Sequence, residues 1–541
     1  CGEGERLGDW SPVHAPRMNS ADFPVWKVNI PSSGIGADTQ YKFVIIKAST
    51  GEIVSWEEGD NRRIGVAPSV SEATVIQGLR FFNNQLRWKG AGTSIPVFSL
   101  RSEADFGVGD FYDLIPLVDW AVSTGQKFIQ VLPVNDTTMT RTWIDSYPYN
   151  AISTFALHPM YLRLEAVGVL ENPERREYYR QLSRELNQLT KIDYERVTRG
   201  KEEYMREIFA QDGAKTIAGD DFKAFVARNS LWLKPYAAFC ALRDRYNTSD
   251  FNDWGEYSVY SPEVLARVEQ EAAQEMNFVY FVQYHLDKQM SYAHNYARAH
   301  GIALKGDIPI GISRASADAW QSPRLFNMDC QAGAPPDDFS VNGQNWGFPT
   351  YNWQEMCLDG FAWWKSRFAK MAEYFDAYRI DHVLGFFRIW QIPLDAVHGL
   401  LGYFNPALPF TSDELRYSYD FWLDPALHTC PYITDSMLDV IFGEYAQEVR
   451  THYLDYTGDN RYRLKNDFNT QRKVVDFFST QPRDEYNTRI CNGLMNLIDD
   501  VLFIEDPVEK GKYHPRISAQ STDVYRSLND YERWCFDRLY N

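Results

Sequence analysis

Four short apolar runs constrain the fold of this 541-residue chain: SIPVFSL (94–100), KFIQVLPV (127–134), IALKGDIPI (302–310) and AYRIDHVLGF (377–386). Each of the last three follows a helical stretch, and strands alternating with helices imply β-α-β units and a parallel sheet. The first unit is the clearest. DFYDLIPLVDWAVSTG puts Phe111, Leu114, Ile115, Val118 and Val122 on one helical face, with Asp110 as N-cap and Gly125 just past the C-terminus. Charged residues cluster at the C-terminal ends of these strands, the face on which (β/α)8 barrels carry their chemistry. The fold class expected is therefore α/β: a TIM-type (β/α)8 barrel, of which the first half is clearly present, with helical insertions. Residues 94–394 are read as that part of the barrel and about 171–275 as a helical insertion. Residues 395–541 offer no convincing fifth strand and read as an insertion after the 377–386 strand.

Residues 1–66 differ in kind. Short alternating runs such as VWKVNI (25–30) and YKFVIIKA (41–48), broken by Pro, Gly and Ser, predict a small β-sandwich module. Residues 67–93 read as a linker. The net charge of −18 disfavours nucleic acid and anionic lipid, and no apolar run is long enough to span a membrane. Seven dispersed cysteines suggest neither a zinc site nor a disulfide framework, and a cytoplasmic location is expected. With 16 Trp, 33 Tyr and 33 Phe, the aromatic fraction reaches 15%, which fits a large core or the stacking of sugar rings. Composition does not separate the two.

RIDHVLGF (379–386) is the candidate catalytic segment. Asp381 stands at a strand mouth two residues after Arg379, so it reads either as a carboxylate kept ionised for attack on an anomeric carbon or as a structural ion pair. Further segments decide the context. DSYPYNAIS (145–153), GDIPIGISRASADAW (306–320), APPDDFSVNGQNWGFPTYNW (334–353) and RIDHVLGF occur in that order and together resemble the 4-α-glucanotransferases of glycoside hydrolase family 77, the amylomaltases or disproportionating enzymes. By that resemblance Asp381 is the nucleophile, with Arg379 and His382 its motif neighbours. Asp307 lies on the preceding strand, while Tyr149, Asn150 and Trp346 match substrate-contacting positions. The loop with Asp337 and Phe339 resembles the acceptor-side loop, although the family more often has Tyr where this chain has Asp338. No metal or organic cofactor is implied.

LGDWSP (7–12), YKFV (41–44) and SWEEGDNR (55–62) resemble the starch-binding module of family 20. That pattern implies a stacking platform of Trp10 and Trp56, with Lys42 and Asn61 bonding sugar hydroxyls. Such a module before such a barrel resembles the larger disproportionating enzymes, whose partners are maltose, malto-oligosaccharides and glycogen or starch-like glucans. Retaining chemistry needs a second carboxyl group as acid/base, about 5–5.5 Å from the nucleophile. The family's Glu motif for that role does not occur in this sequence. Glu505 in LFIEDPVEKG is the nearest substitute, and Glu444 a weaker one. The expectation is a chain truncated at both ends, with strands five to eight beyond Asn541.

Overall fold

The computed structural model describes every residue except 23–24, 69–70, 72, 84–88 and 541. Parts of the expected linker thus lie outside the described residues. Two compact units are formed, Cys1–Ala91 and Gly92–Asn541.

In the first unit, six short strands pair two by two, all antiparallel. β1 (Asn19–Asp22) pairs with β2 (Val25–Lys27), β3 (Gln40–Tyr41) with β6 (Arg62–Arg63), and β4 (Val44–Ile46) with β5 (Ile53–Trp56). Charge supplements the small apolar centre. Glu57 is buried and accepts a 2.9 Å hydrogen bond from Arg62. Burial works against that carboxylate, but the bond and charge of Arg62 hold its pKa below the usual value.

The second unit is organised around a parallel sheet in the order β7 (Gly92–Ser94), β8 (Phe128–Gln130), β9 (Ala303–Ile308) and the strand Ala377–Ile380. This is the first half of a (β/α)8 barrel. Between β7 and β8 runs α1 (Leu114–Ser123), preceded by a 3-10 turn that Asp110 caps by accepting the Tyr112 N–H. Its inner face is Leu114, Val118 and Ala121, whereas Val122, expected inside, is 44% exposed. Four helices follow: α2 (Pro173–Asn187), α3 (Tyr194–Ala218), α4 (Asp220–Tyr246) and α5 (Pro262–Glu271). Then α6 (Ala273–Ala299) returns the chain to β9.

After Ile380, every described strand pairs antiparallel in one of three other small sheets, and none joins the parallel one. The 395–541 region has apolar centres of its own. One gathers Phe442, Val474 and Leu494; another gathers Phe421, Phe503 and Phe536. Both are distinct from the large cluster of Val118, Ile129, Phe239 and Leu304 beneath the parallel sheet.

Candidate active site

Asp307 on β9 lies opposite Arg379 on the neighbouring parallel strand. Residues in register on adjacent strands point to the same face, so the two side chains meet. Arg379 Nη1 donates to Asp307 Oδ2 at 2.6 Å, and its Nη2 donates to Asp381 Oδ1 at 2.8 Å. The Tyr149 hydroxyl donates to Asp307 Oδ2 at 2.7 Å and accepts from Arg379 Nη1 at 3.2 Å. A planar guanidinium thus bridges two carboxylates through different nitrogens, a geometry an ammonium cannot copy.

Accessibility differs sharply across this network. The Asp307 side chain is fully buried, that of Asp381 is 24% exposed, and that of Arg379 is 41% exposed. Asp307 Oδ1 is buried without a hydrogen-bond partner. Burial pushes the Asp381 carboxyl above its ordinary value despite the pull of Arg379, and the Asp307 charge adds to the rise. The expected ionising influence of Arg379 is present, but desolvation outweighs it. Burial and the Asp307 hydrogen bond push the Tyr149 phenol up to about 12. Burial lowers His382, which leaves its imidazole neutral near pH 7.

His382 takes a left-handed conformation, φ 45°, at the turn after the strand. The edge of its ring meets Trp346, with centroids 4.9 Å apart and planes at 80°. Trp346 is fixed by its backbone N–H on Ala332 O at 3.0 Å and its indole N–H on Gln344 Oε1 at 3.1 Å. Tyr149 and Trp346 both pack on a small cluster of Ile310, Ala332, Phe348 and Ile389. The structure therefore brings Tyr149, Asp307, Trp346, Arg379, Asp381 and His382 into one neighbourhood. Tyr147 belongs with them: its ring lies 5.6 Å from that of Tyr149, and burial, then the Asp381 charge, raises its pKa. Sequence reasoning passed it over, although DSYPYN offers two tyrosines.

Other candidates stand apart from this network. The Asn150 backbone N–H bonds Tyr147 O at 3.2 Å, and its side-chain amide contacts Met139 Sδ at 3.9 Å. Asp337 closes a turn, Oδ1 accepting the N–H groups of Phe339 and Ser340 at 2.9 and 2.8 Å. Phe339 is 97% exposed. Glu505 ends the strand Phe503–Glu505 and bonds Lys510 and the Gly511 N–H, each at 3.2 Å. Glu444 is exposed on a 3-10 turn. In the first unit Trp10 is half-buried in a loop with φ 64°, and half-buried Trp56 lies on β5. Among the described residues no ring contact joins these two indoles. Lys42 Nζ donates to Gly59 O at 2.6 Å, and the Asn61 amide donates to Gln40 Oε1 at 3.0 Å.

Among the described residues, no group of three or more His, Cys, Asp or Glu is placed to hold a metal. Two cavities of about 70 and about 300 Å³ lie elsewhere in the second unit, and neither is lined by Asp307, Arg379 or Asp381.

The bridged carboxylate sits at the C-terminal end of parallel strands of an α/β barrel, beside Tyr149, Trp346 and His382. The 4-alpha-glucanotransferase family model, glycoside hydrolase family 77, matches residues 95–480, and a starch binding domain model matches residues 1–76. This chain belongs to glycoside hydrolase family 77. It is 38% identical over 552 residues to 4-alpha-glucanotransferase DPE2 of Oryza sativa subsp. japonica, covering 100% of this chain and 57% of that protein. It is 35% identical over 301 residues to the 4-alpha-glucanotransferase of Chlamydia muridarum, covering 55% of this chain and 56% of that protein. The chain thus spans somewhat over half the length of the rice relative. Among solved structures it is similar to the amylomaltase from Streptococcus agalactiae in complex with acarbose, with TM-score 0.52 and 20% identity over 83% of this chain and 98% of that one. At that identity the likeness shows the fold alone.

Proposed function

We propose that this chain is part of a 4-α-glucanotransferase that moves glucosyl units between malto-oligosaccharides, maltose included, and glycogen or starch-like acceptors. The observation that carries the reading is the Arg379 bridge, which aims a partly exposed Asp381 outward from a fully buried Asp307. Asp381 attacks C1 of the donor sugar and forms a β-glucosyl ester as the leaving oxygen takes a proton. The 4-hydroxyl of an acceptor then attacks the ester, gives up its proton to the same acid/base, and restores the α-linkage.

Asp307 is an anchor in this scheme. Both of its hydrogen bonds are accepted at Oδ2, from the Tyr149 O–H and from Arg379, and its side chain is fully buried, so it holds the network in place from behind Asp381. Glu505 is tied to Lys510 in another sheet. Membership of the family implies a Glu as acid/base and an Asp as stabilising carboxylate, in motifs that this sequence does not contain. Neutral His382, Tyr149, Asn150 and Trp346 receive the donor sugar, and Asp337 and Phe339 serve the acceptor side. Trp10, Lys42, Trp56 and Asn61 engage the polymer in the starch-binding module. Seven free cysteines, and no described helix long and apolar enough to cross a membrane, support a cytoplasmic setting.

The test is incubation with maltotriose and glycogen of the protein that includes the remaining barrel strands, following glucose and longer oligosaccharides. Longer products that disappear in Asp381→Asn, with glucan binding kept, carry the reading. Turnover retained in that variant sinks the nucleophile assignment, and glucose without longer chains points to an α-amylase-like hydrolase. A second reading, glucan binding without turnover, suits these 541 residues taken alone, because the family's Glu motif does not occur in them and the carboxylate beside Asp381 is the buried Asp307.

A further inference from the structure

Two helices of the 395–541 region, Ser412–Tyr419 and Asp530–Asp537, each bury one face and show solvent an unusual other one. Leu415, Cys535 and Phe536 are fully buried. Outside, Tyr531 and Trp534 are each 56% exposed, Tyr417 is 75% exposed, and Trp422, just past the first helix, is 64% exposed. The two segments are tied together there. The Tyr531 hydroxyl bonds Asp420, and Arg538 donates to the Ser418 carbonyl at 3.1 Å while lying over Trp534 with 5.0 Å to the ring centroid. Arg416 covers one face of Trp422 at 3.9 Å. Neither helix exposes an aliphatic side chain.

We propose that this face is a secondary binding site for α-1,4-glucan, separate from both the strand mouth and the starch-binding module. The inference rests on the glucan reading given above. Large exposed aromatics normally mark a binding surface, and here the composition selects the ligand. A lipid surface calls for aliphatic area, which neither helix exposes. Nucleic acid calls for a basic patch, whereas here Asp420 and Arg538 alternate and the chain carries −18 overall. Exposed rings flanked by the Asp420 carboxylate and the Arg416 and Arg538 guanidiniums suit a neutral polyol, whose C–H groups meet the ring surface the guanidiniums leave open while its hydroxyls both donate and accept. The Tyr531 and Trp534 rings lie side by side, with centroids 5.9 Å apart and planes 31° from parallel.

The test is electrophoresis of the full 541-residue chain through gels with and without glycogen. The forms compared are the parent, Trp10→Ala/Trp56→Ala, Trp422→Ala/Trp534→Ala and the fourfold variant, with circular dichroism confirming folding. The Trp422/Trp534 pair is expected to weaken glycogen retardation several-fold. Retardation left in the module variant is expected to vanish in the fourfold form, and Trp534→Tyr to keep most of it. Unchanged retardation in Trp422→Ala/Trp534→Ala overturns the proposal while the glucan reading stands. Loss of self-association by that pair in sedimentation velocity, with retardation intact, also overturns it and assigns the face to a second copy. A parent that glycogen does not retard removes the glucan reading and this site with it.

Discussion

Asp307 and Arg379 face each other across adjacent parallel strands, with Nη1 and Oδ2 2.6 Å apart, and the carboxylate side has no solvent exposure at all. The pair sets the position of everything beyond it. Replacing Arg379 with Ala leaves a buried carboxylate with only a phenol as partner, a loss of about 1–3 kcal/mol. Urea unfolding of Arg379→Ala should show a lower midpoint at unchanged slope. Arg379→Lys should fall between, because one ammonium restores charge but not the bridge to Asp381.

Asp381 behaves in the opposite sense, since burial raises its carboxyl in the folded chain. The folded state then binds the proton more tightly than the unfolded one, so this residue costs stability as pH rises from the ordinary carboxylate value through the raised one. Asp381→Asn should therefore be more stable than the parent at pH 7, and the advantage should shrink in acid. Thermal unfolding of both proteins between pH 3 and 7 measures it; an equal or lower midpoint at pH 7 contradicts the assigned shift.

His158 supplies a larger and separate pH effect. It is buried beneath the helical layer, with Nδ1 accepting the Met160 N–H and Nε2 3.2 Å from the Tyr194 hydroxyl, and burial lowers its pKa to about 4. The unfolded chain binds the extra proton between the ordinary value of 6.5 and that lowered one. Stability from this group is complete above pH 6.5 and is lost on acidification to pH 4, by roughly 3 kcal/mol at 1.36 kcal/mol per unit. The His158 ring carbons followed by NMR should show no titration above pH 5.

Phe339 touches little, so Phe339→Ala should leave stability within about 0.5 kcal/mol. Its effect should appear in partitioning. If the ring helps an acceptor sugar displace water, the variant should release more glucose per transfer event from maltotriose in the enzyme with all its barrel strands.

How much of this could be read in advance depended on the range of the interaction. The β7–α1–β8 unit was legible because its period and caps are local, though the strand expected at 94–100 is Gly92–Ser94, followed by a 3-10 turn at Val97–Ser99, and Ala121 rather than Val122 faces inward. The motifs marked Asp307 and Arg379 separately. Their pairing follows from the register of strands 72 residues apart, which no local pattern encodes. Tyr147 escaped notice because only the spatial return of its loop brings it within reach of the Asp381 charge. Asp337 looked chemical in sequence and is a turn-former in the structure, a double use open to any Asp ahead of two free backbone N–H groups.

The separate apolar centres around Phe442 and Phe503 bear on all the unfolding experiments. Both centres lie within the one compact unit Gly92–Asn541, so they share its unfolding while a local probe reports only its own surroundings. Reporters placed near Asp307 will register the barrel strands alone. Calorimetry of the whole chain adds the later region, whose apolar contacts no probe beside Asp307 sees.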